Sequence, residues 1–169
     1  LLARAARSLE AAGADFLVLC TNTMHKVAAA IEAAAPVPLL HIADPTAVAV
    51  KAAGCTKVGL LGTRFTMEED FYSERLRRNH GLDVLVPDRE DRDVVHRVIY
   101  DELCLGKVLP DSRSQYRRIM ARLVERGAQA IILGCTEISL LVGDDDATVP
   151  LFDTTRIHAE SAALHALDE

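Results

Sequence analysis

Two cysteines stand in matching positions, and they are the residues of this chain best suited to acid–base chemistry. Cys20 ends the apolar run DFLVLC, and Cys135 follows the apolar run AIILG. Each is followed by Thr, at a point where a helix is predicted to begin, and a helix N-terminus favours the thiolate form of cysteine. Cysteine also packs in cores as a small apolar residue, but the matching contexts favour two functional thiols.

A pair of thiols on opposite sides of one carbon could remove an α-proton from one face and return a proton to the other. A short internal repeat supports such a pair, because AAGADFLVLCTN (11–22) resembles ERGAQAIILGCTE (125–137). Two α/β lobes related by pseudo-symmetry would place these two strand ends in similar positions. A disulfide between the same two cysteines is the competing interpretation.

Polar residues beside the two cysteines could bind a substrate. Thr21, Asn22 and Thr23 open a predicted helix, so their N–H groups and side chains could hold a carboxylate or could simply cap the helix. Glu137, next to Thr136, could accept hydrogen bonds from a substrate ammonium, or could be an acid favoured in a first helical turn.

Other candidates give weaker signals. Lys107, in the loop CLGKVLP, could pair with a side-chain carboxylate, although a lone loop lysine is more often a solvated charge. Thr63 follows a predicted strand, where a binding loop could lie. His25 lies about one helical turn beyond Cys20 and could tune its thiol or cover the surface. Cys55 and Cys104 lack the strand–Cys–Thr context and are interpreted as structural.

The elements that must position these residues alternate along the chain. Strands are predicted at 15–20, 39–44, 57–62, 82–87, 130–134 and 149–154. Helices are predicted at 2–12, 21–35, 45–54, 66–79, 89–104 and 112–126, with a further helix after the last strand. This alternation predicts an α/β fold with mostly parallel sheets flanked by helices. The active site of such a fold lies past the carboxyl ends of its strands.

Composition excludes several classes of function. Half of the 169 residues are hydrophobic and the net charge is −6, so a sizeable core is available and no basic stripe suits nucleic acid. No apolar run approaches the length of a membrane span. The four cysteines include no CxxC pair and the histidines outside the Cys20 region form no ligand-spaced cluster, so we expect no metal and reduced thiols in a cytoplasmic protein. The chain begins inside a helical pattern without Met, so we expect an N-terminal segment to precede it.

Five segments in order resemble the aspartate/glutamate racemase superfamily, and its aspartate racemase branch in particular. They are CTNTMHK (20–26), LLGTRFTM (60–67), IYDELCLGK (99–107), ILGCTEI (132–138) and PLFDTTRIHA (150–159). The resemblance implies a racemase that needs no pyridoxal or other cofactor, with two pseudo-symmetric lobes, the active site between them, and often a homodimer. It further implies a first lobe of 1–50 plus 150–169, lacking its N-terminal strand and Gly-rich loop, and a second lobe of 51–149.

The resemblance also assigns roles to residues. It implies that Cys20 and Cys135 are the catalytic thiols, that the 21–23 loop holds the substrate carboxylate and that Lys107 contacts substrate. Thr63 and Thr136 match positions that face the cleft between the lobes. The second motif reads GCTEI where glutamate racemases usually carry GCTHY, which favours aspartate, a small dicarboxylic amino acid, as substrate.

Other activities remain open. Within the same fold they are a glutamate, hydantoin or broad-specificity racemase, a maleate isomerase or an arylmalonate decarboxylase, the last disfavoured because both cysteines are present. From another class, the chain could be a non-catalytic ligand-binding lobe or a thiol redox protein. Exchange of the α-hydrogen of an amino acid would separate an enzyme from a binding protein.

Overall fold

The computed structural model describes residues 1–167. Its strands are β1 (Leu17–Val18), β2 (Leu39–Leu40), β3 (Lys57–Gly62), β4 (Asp83–Leu85), β5 (Ala130–Gly134) and β6 (Leu151–Asp153). Its helices are α1 (Leu2–Ala11), α2 (Ala28–Glu32), α3 (Ala43–Ala52), α4 (Arg64–Glu68), α5 (Asp70–His80), α6 (Arg89–Asp101), α7 (Pro110–Glu125), α8 (Ile138–Leu141) and α9 (Thr154–Leu167). Short 3-10 helices lie at Thr23–Val27, Leu103–Leu105 and Asp144–Asp146. Within residues 1–167, none of the helices combines the length and the apolar character that crossing a bilayer requires.

The strands form two parallel sheets. β1 pairs with β2 in a two-stranded sheet, and the other four strands form a sheet in the order β4-β3-β5-β6. Every pair in the larger sheet is parallel, with β3 and β5 in register from Val58 opposite Ala130 to Gly62 opposite Gly134. The predicted α/β fold with parallel sheets flanked by helices is therefore confirmed.

The two central strands are buried on both faces. Val58 and Leu60 of β3 pack in a core formed with α3 and α5, whereas Leu61 points into a core formed with α6 and α7. β5 alternates in the same way, and all five of its residues are buried. A continuous apolar run is what a strand needs when helices cover both faces of its sheet. Burying each Leu or Ile contributes roughly 1.5–3 kcal/mol, so these strands anchor the fold.

The structure shortens or divides several predicted elements. β1 and β2 have two residues each, because in residues 1–167 they pair only with one another and Val18 stays exposed. The predicted 66–79 helix is divided into α4 and α5 by the extended backbone of Glu69. The predicted 21–35 helix begins as the 3-10 helix Thr23–Val27 before α2.

Strand β6 lies on the other side of the predicted lobe boundary. Residues 150–169 were expected in the first lobe, but Leu151–Asp153 pairs with β5 in the four-stranded sheet. A short apolar run flanked by turns does not specify its partner strand, so its sequence left this pairing open. The remaining division into lobes stays a prediction, and residues 168 and 169 of the predicted range lie outside the described residues.

The internal repeat corresponds to two similar structural units. α1 is followed by Gly13, β1 and Cys20, and α7 is followed by Gly127, β5 and Cys135. Both glycines have positive φ, 89° and 97°, a conformation that disfavours residues with a side chain. Each unit therefore turns at a glycine and delivers a cysteine just past the carboxyl end of a parallel strand.

Candidate active site

A cavity of about 350 Å³ lies at the carboxyl ends of β1, β3 and β5. Every site residue predicted from the sequence lines it except Lys107, namely Cys20, Thr21, Asn22, Thr23, Thr63, Cys135, Thr136 and Glu137. The lining also contains residues that were not predicted from the sequence as site residues, namely Met24, Ile99, Tyr100, Cys104 and Gly134. The cavity thus brings together residues that are far apart in the chain.

Cys135 is held as a thiol by its surroundings. Its Sγ donates a hydrogen bond of 3.0 Å to Oε2 of Glu137. Burial raises the pKa of Cys135 strongly, and the adjacent Glu137 carboxylate raises it further, because both oppose a second negative charge. The expectation that a helix N-terminus favours a thiolate here is wrong, since α8 has four residues and begins only at Ile138.

Glu137 remains a carboxylate beside this thiol. Burial raises its pKa, but hydrogen bonds from the side chains of Cys135 and Thr136 outweigh that effect, and the net shift of the pKa is downward. In this structure its Oε2 accepts the hydrogen bond from Cys135, and the expected contact with a substrate ammonium stays a prediction.

Cys20 stands in a more open environment than Cys135. Its side chain is exposed, and its Sγ lies 4.0 Å from the carbonyl oxygen of Val18. The predicted helix after it begins only at Thr23 and is a five-residue 3-10 turn. Both Cys20 and Cys135 are free thiols in this structure. They therefore reach the same cavity with different solvent access.

Hydroxyl contacts attach the loop after Cys20 to the end of β3. Oγ1 of Thr23 lies 2.9 Å from Oγ1 of Thr63 and 3.4 Å from that of Thr66. Thr63 also caps α4 by accepting a hydrogen bond from the backbone N–H of Thr66. Two residues expected to bind substrate thus also connect the loop after β1 to β3, and both line the cavity.

The side chain of His25 is buried and contacts the backbone of the 21–23 loop. Its Nδ1 donates to the carbonyl of Thr21 at 2.6 Å, and its Nε2 accepts from the N–H of Ile42 at 3.2 Å. Burial lowers the pKa of His25 to about 4, so the ring is neutral at pH 7. The expectation that His25 covers the surface is wrong, and its contacts support the backbone of Thr21 rather than the thiol of Cys20.

Three histidines that are distant in sequence meet at this point. The ring of His25 lies 4.3 Å from that of His41 and 6.1 Å from that of His158, measured between centroids. Spacing along the chain did not predict this cluster. Among residues 1–167 no group of His, Cys, Asp and Glu side chains is arranged to hold a metal ion.

The structure places Cys104, but not Lys107, in the lining of the cavity. Lys107 is exposed and lies outside the lining, just after Gly106, so its contact with substrate stays a prediction. Cys104 was expected to be structural but is exposed and lines the cavity. Cys55, also expected to be structural, is buried, and its Sγ approaches the carbonyls of Ala53 and Gln129.

A larger groove of about 640 Å³ runs beside β6 and α9. Its ionisable lining residues are Asp144, Arg156 and Glu160, and no thiol reaches it in the described part of the chain. Proton transfer at carbon needs opposed acid–base groups, so the smaller cavity is the better candidate for an active site.

Two solved structures resemble nearly the whole chain. A crystal structure from Yersinia pestis, provisionally described as that of an Asp/Glu racemase, is 58% identical with a TM-score of 0.94, and the match covers 98% of this chain and 72% of that one. An aspartate racemase homologue from Pyrococcus horikoshii is 34% identical with a TM-score of 0.86, covering 97% of this chain and 72% of that one.

Sequence comparisons point to the same group. The broad specificity amino-acid racemase RacX of Bacillus subtilis is 27% identical over 156 residues, which are 90% of this chain and 65% of that protein. The chain therefore spans about two thirds of the length of this relative. The family model for Asp/Glu/hydantoin racemases matches residues 1–162. This chain belongs to the Asp/Glu/hydantoin racemase family.

Proposed function

We propose that this chain racemises an amino acid without a cofactor, with one of Cys20 and Cys135 removing the α-proton and the other giving a proton to the opposite face. The observation that carries the proposal is that both thiols, each just past the end of a parallel strand, line one cavity. Family membership and the amino-acid racemase among the relatives support this reaction.

The proton balance requires one thiolate and one thiol at the start. For one enantiomer, Cys20 as thiolate takes the α-proton and Cys135 gives its S–H proton to the opposite face of the carbanion. Cys135 then becomes the thiolate, so the product state is ready for the reverse reaction. The contact with Glu137 keeps the proton on Cys135 before substrate binds, which matches the role of acid.

We propose aspartate as the first substrate to test. The GCTEI motif favours a dicarboxylate, and one similar structure is an aspartate racemase homologue. The broad-specificity relative supports the alternative of several substrates. Within this proposal the 21–23 loop binds the α-carboxylate and Lys107 approaches the side-chain carboxylate. A homodimer in the cytoplasm also stays a prediction.

Replacement of each thiol tests the proposal. We expect Cys20→Ser and Cys135→Ser each to lower the racemisation rate by at least about 100-fold, because a serine hydroxyl is a far weaker acid and base. Racemisation is followed by chiral chromatography, and α-deuterium incorporation in D₂O by NMR, with aspartate and a series of other amino acids. Circular dichroism shows whether each variant is folded.

Cys55→Ser is the matched control, since the same substitution is made at a thiol that lies away from the cavity. It should retain the wild-type rate. Substantial turnover in either single cavity variant would refute the two-thiol mechanism. Ligand binding with no α-exchange in the wild type would instead support a binding protein.

A further inference from the structure

One buried hydroxyl connects the two peptide segments that carry the thiols. Nδ2 of Asn22 donates to Oγ1 of Thr154 at 3.0 Å, and Oγ1 of Thr154 donates to the carbonyl of Leu133 at 2.8 Å. Asn22 lies two residues after Cys20, and Leu133 lies two residues before Cys135. Thr154 therefore bridges the β1 end and the β5 end within a short chain of hydrogen bonds.

The direction of these hydrogen bonds is determined by the chemistry of a hydroxyl. Thr154 has one hydroxyl proton, and the Leu133 carbonyl can only accept it. Thr154 can therefore only accept from Asn22, so the amide must present its N–H₂ group to Thr154. If the amide were rotated by 180°, its oxygen would face the Thr154 hydroxyl. The single hydroxyl proton could then serve either that oxygen or the Leu133 carbonyl, but not both.

The bridge lies in the interior, where such a mismatch is costly. Thr154 is 0% exposed and Asn22 is 3% exposed. An unsatisfied buried polar group costs about 1–3 kcal/mol, so one arrangement is strongly preferred. Oδ1 of Asn22 is left without a partner in the part of the chain that the structure describes.

We infer that Thr154 is a positioning residue that sets the orientation of Cys20 relative to Cys135. This inference rests on the proposed two-thiol reaction. Thr154 begins α9 directly after β6, and β6 pairs with β5, so the hydroxyl is carried by a rigid part of the larger sheet. The contact of Thr23 with Thr63 holds the same loop to β3, whereas Thr154 holds it to the strand of Cys135.

The consequence for catalysis is a loss of geometry rather than of an acid–base group. A displacement of about 1 Å at the reacting atoms can cost about 100-fold in rate. If the Cys20 loop is released, one thiol can still remove the α-proton, but the opposite thiol no longer meets the carbanion. The thiol that took the α-proton then exchanges it with solvent and returns a solvent-derived proton to the same face of the carbanion.

Thr154→Val tests this inference, because valine has the shape of threonine without the hydroxyl. We expect kcat for racemisation to fall by about 10–100-fold with KM changed much less. In D₂O we also expect more deuterium in the unreacted enantiomer for each inversion event. Partial unfolding would lower exchange and inversion together, so this ratio distinguishes positioning from simple loss of structure.

Thr154→Ser is the matched control and should restore the wild-type rate and ratio, since it keeps the hydroxyl. If the valine variant fails to fold, Thr154→Ala removes the same hydroxyl with less bulk and is measured in the same way. An unchanged exchange-to-inversion ratio in the variant that lacks the hydroxyl, or equal defects in Ser and Val, would overturn the inference. A wild-type chain without any α-exchange would refute the proposed function itself.

Discussion

At the scale of single residues, the two thiols are chemically unequal. Cys20 is exposed, whereas Cys135 is partly buried and donates to Glu137. Burial and the carboxylate both raise the pKa of Cys135. Under the proposed two-thiol reaction, this asymmetry assigns the role of first proton donor to Cys135.

The first prediction concerns the charge on Glu137. We expect Glu137→Gln to lower the pKa of Cys135, because the neighbouring negative charge disappears while burial remains. Alkylation of Cys135 by iodoacetamide should then begin at a lower pH than in wild type. Mass spectrometry of the Cys135 peptide across a pH series measures this, with the Cys20 peptide as internal reference. Glu160→Gln, in the groove beside β6 and α9, is the control, and an unchanged Cys135 profile in Glu137→Gln would contradict the prediction.

At the scale of elements, two glycines allow the ends of β3 and β5 to approach closely. A Cβ on Gly62 would lie 2.9 Å from the carbonyl oxygen of Gly134 and 3.1 Å from Cβ of Thr66. The obstacle is backbone, which cannot move aside as a flexible side chain would. Gly134 directly precedes Cys135 and lines the cavity, so this contact affects the position of the thiol.

The second prediction follows from that contact. We expect Gly62→Ala to lower the free energy of unfolding by about 1–3 kcal/mol, the usual cost of inserting a methyl group into a packed interior. Urea denaturation measures the change. Gly143→Ala is the control, because nothing lies within 4 Å of its added Cβ and its φ is −133°. Equal stability of the Gly62→Ala and Gly143→Ala variants would contradict the prediction, because it would mean that the ends of β3 and β5 can move apart without cost.

At the scale of the whole molecule, a neutral histidine cluster joins the segment around Cys20 to the rest of the fold. The pKa of His25 is lowered to about 4 and that of His41 to about 3, chiefly by burial, and the positive charge of Arg75 contributes to both shifts. Burial also lowers the pKa of His158. Asp44 opposes these shifts but does not cancel them.

The third prediction is a loss of stability in mild acid. The unfolded chain binds protons at these histidines near pH 6.5, whereas the folded chain resists until about pH 4 at His25 and about pH 3 at His41. Between these pH values the unfolded state binds more protons than the folded state. The contribution of these histidines to the free energy of unfolding is therefore full above about pH 6.5 and falls as the pH decreases. Urea unfolding at pH 7 and at pH 5 measures the change. His41→Asn does not titrate at this position and should show a smaller slope; equal slopes would contradict the prediction.

Much of the fold follows from local patterns in the sequence. The predicted bounds of β3 and β5 match the structure, because an apolar run buried on both faces is recognisable without knowing its neighbours. The short strands β1 and β2 were overestimated, because the length of a strand depends on the partner that it pairs with. The two cysteines were found from their matching contexts, and the cavity contains both.

By itself, the sequence determined the alternation of strands and helices, the pair of strand–Cys–Thr segments and the motifs that identify the family. Only the tertiary structure decided that Cys135 is held as a thiol, that His25 is buried beside His41 and His158, that β6 joins β5, and that Thr154 bridges the two thiol segments. The physical reason is that secondary structure and motifs depend on neighbouring residues. Burial, strand pairing and proton affinity depend on groups that meet only after folding.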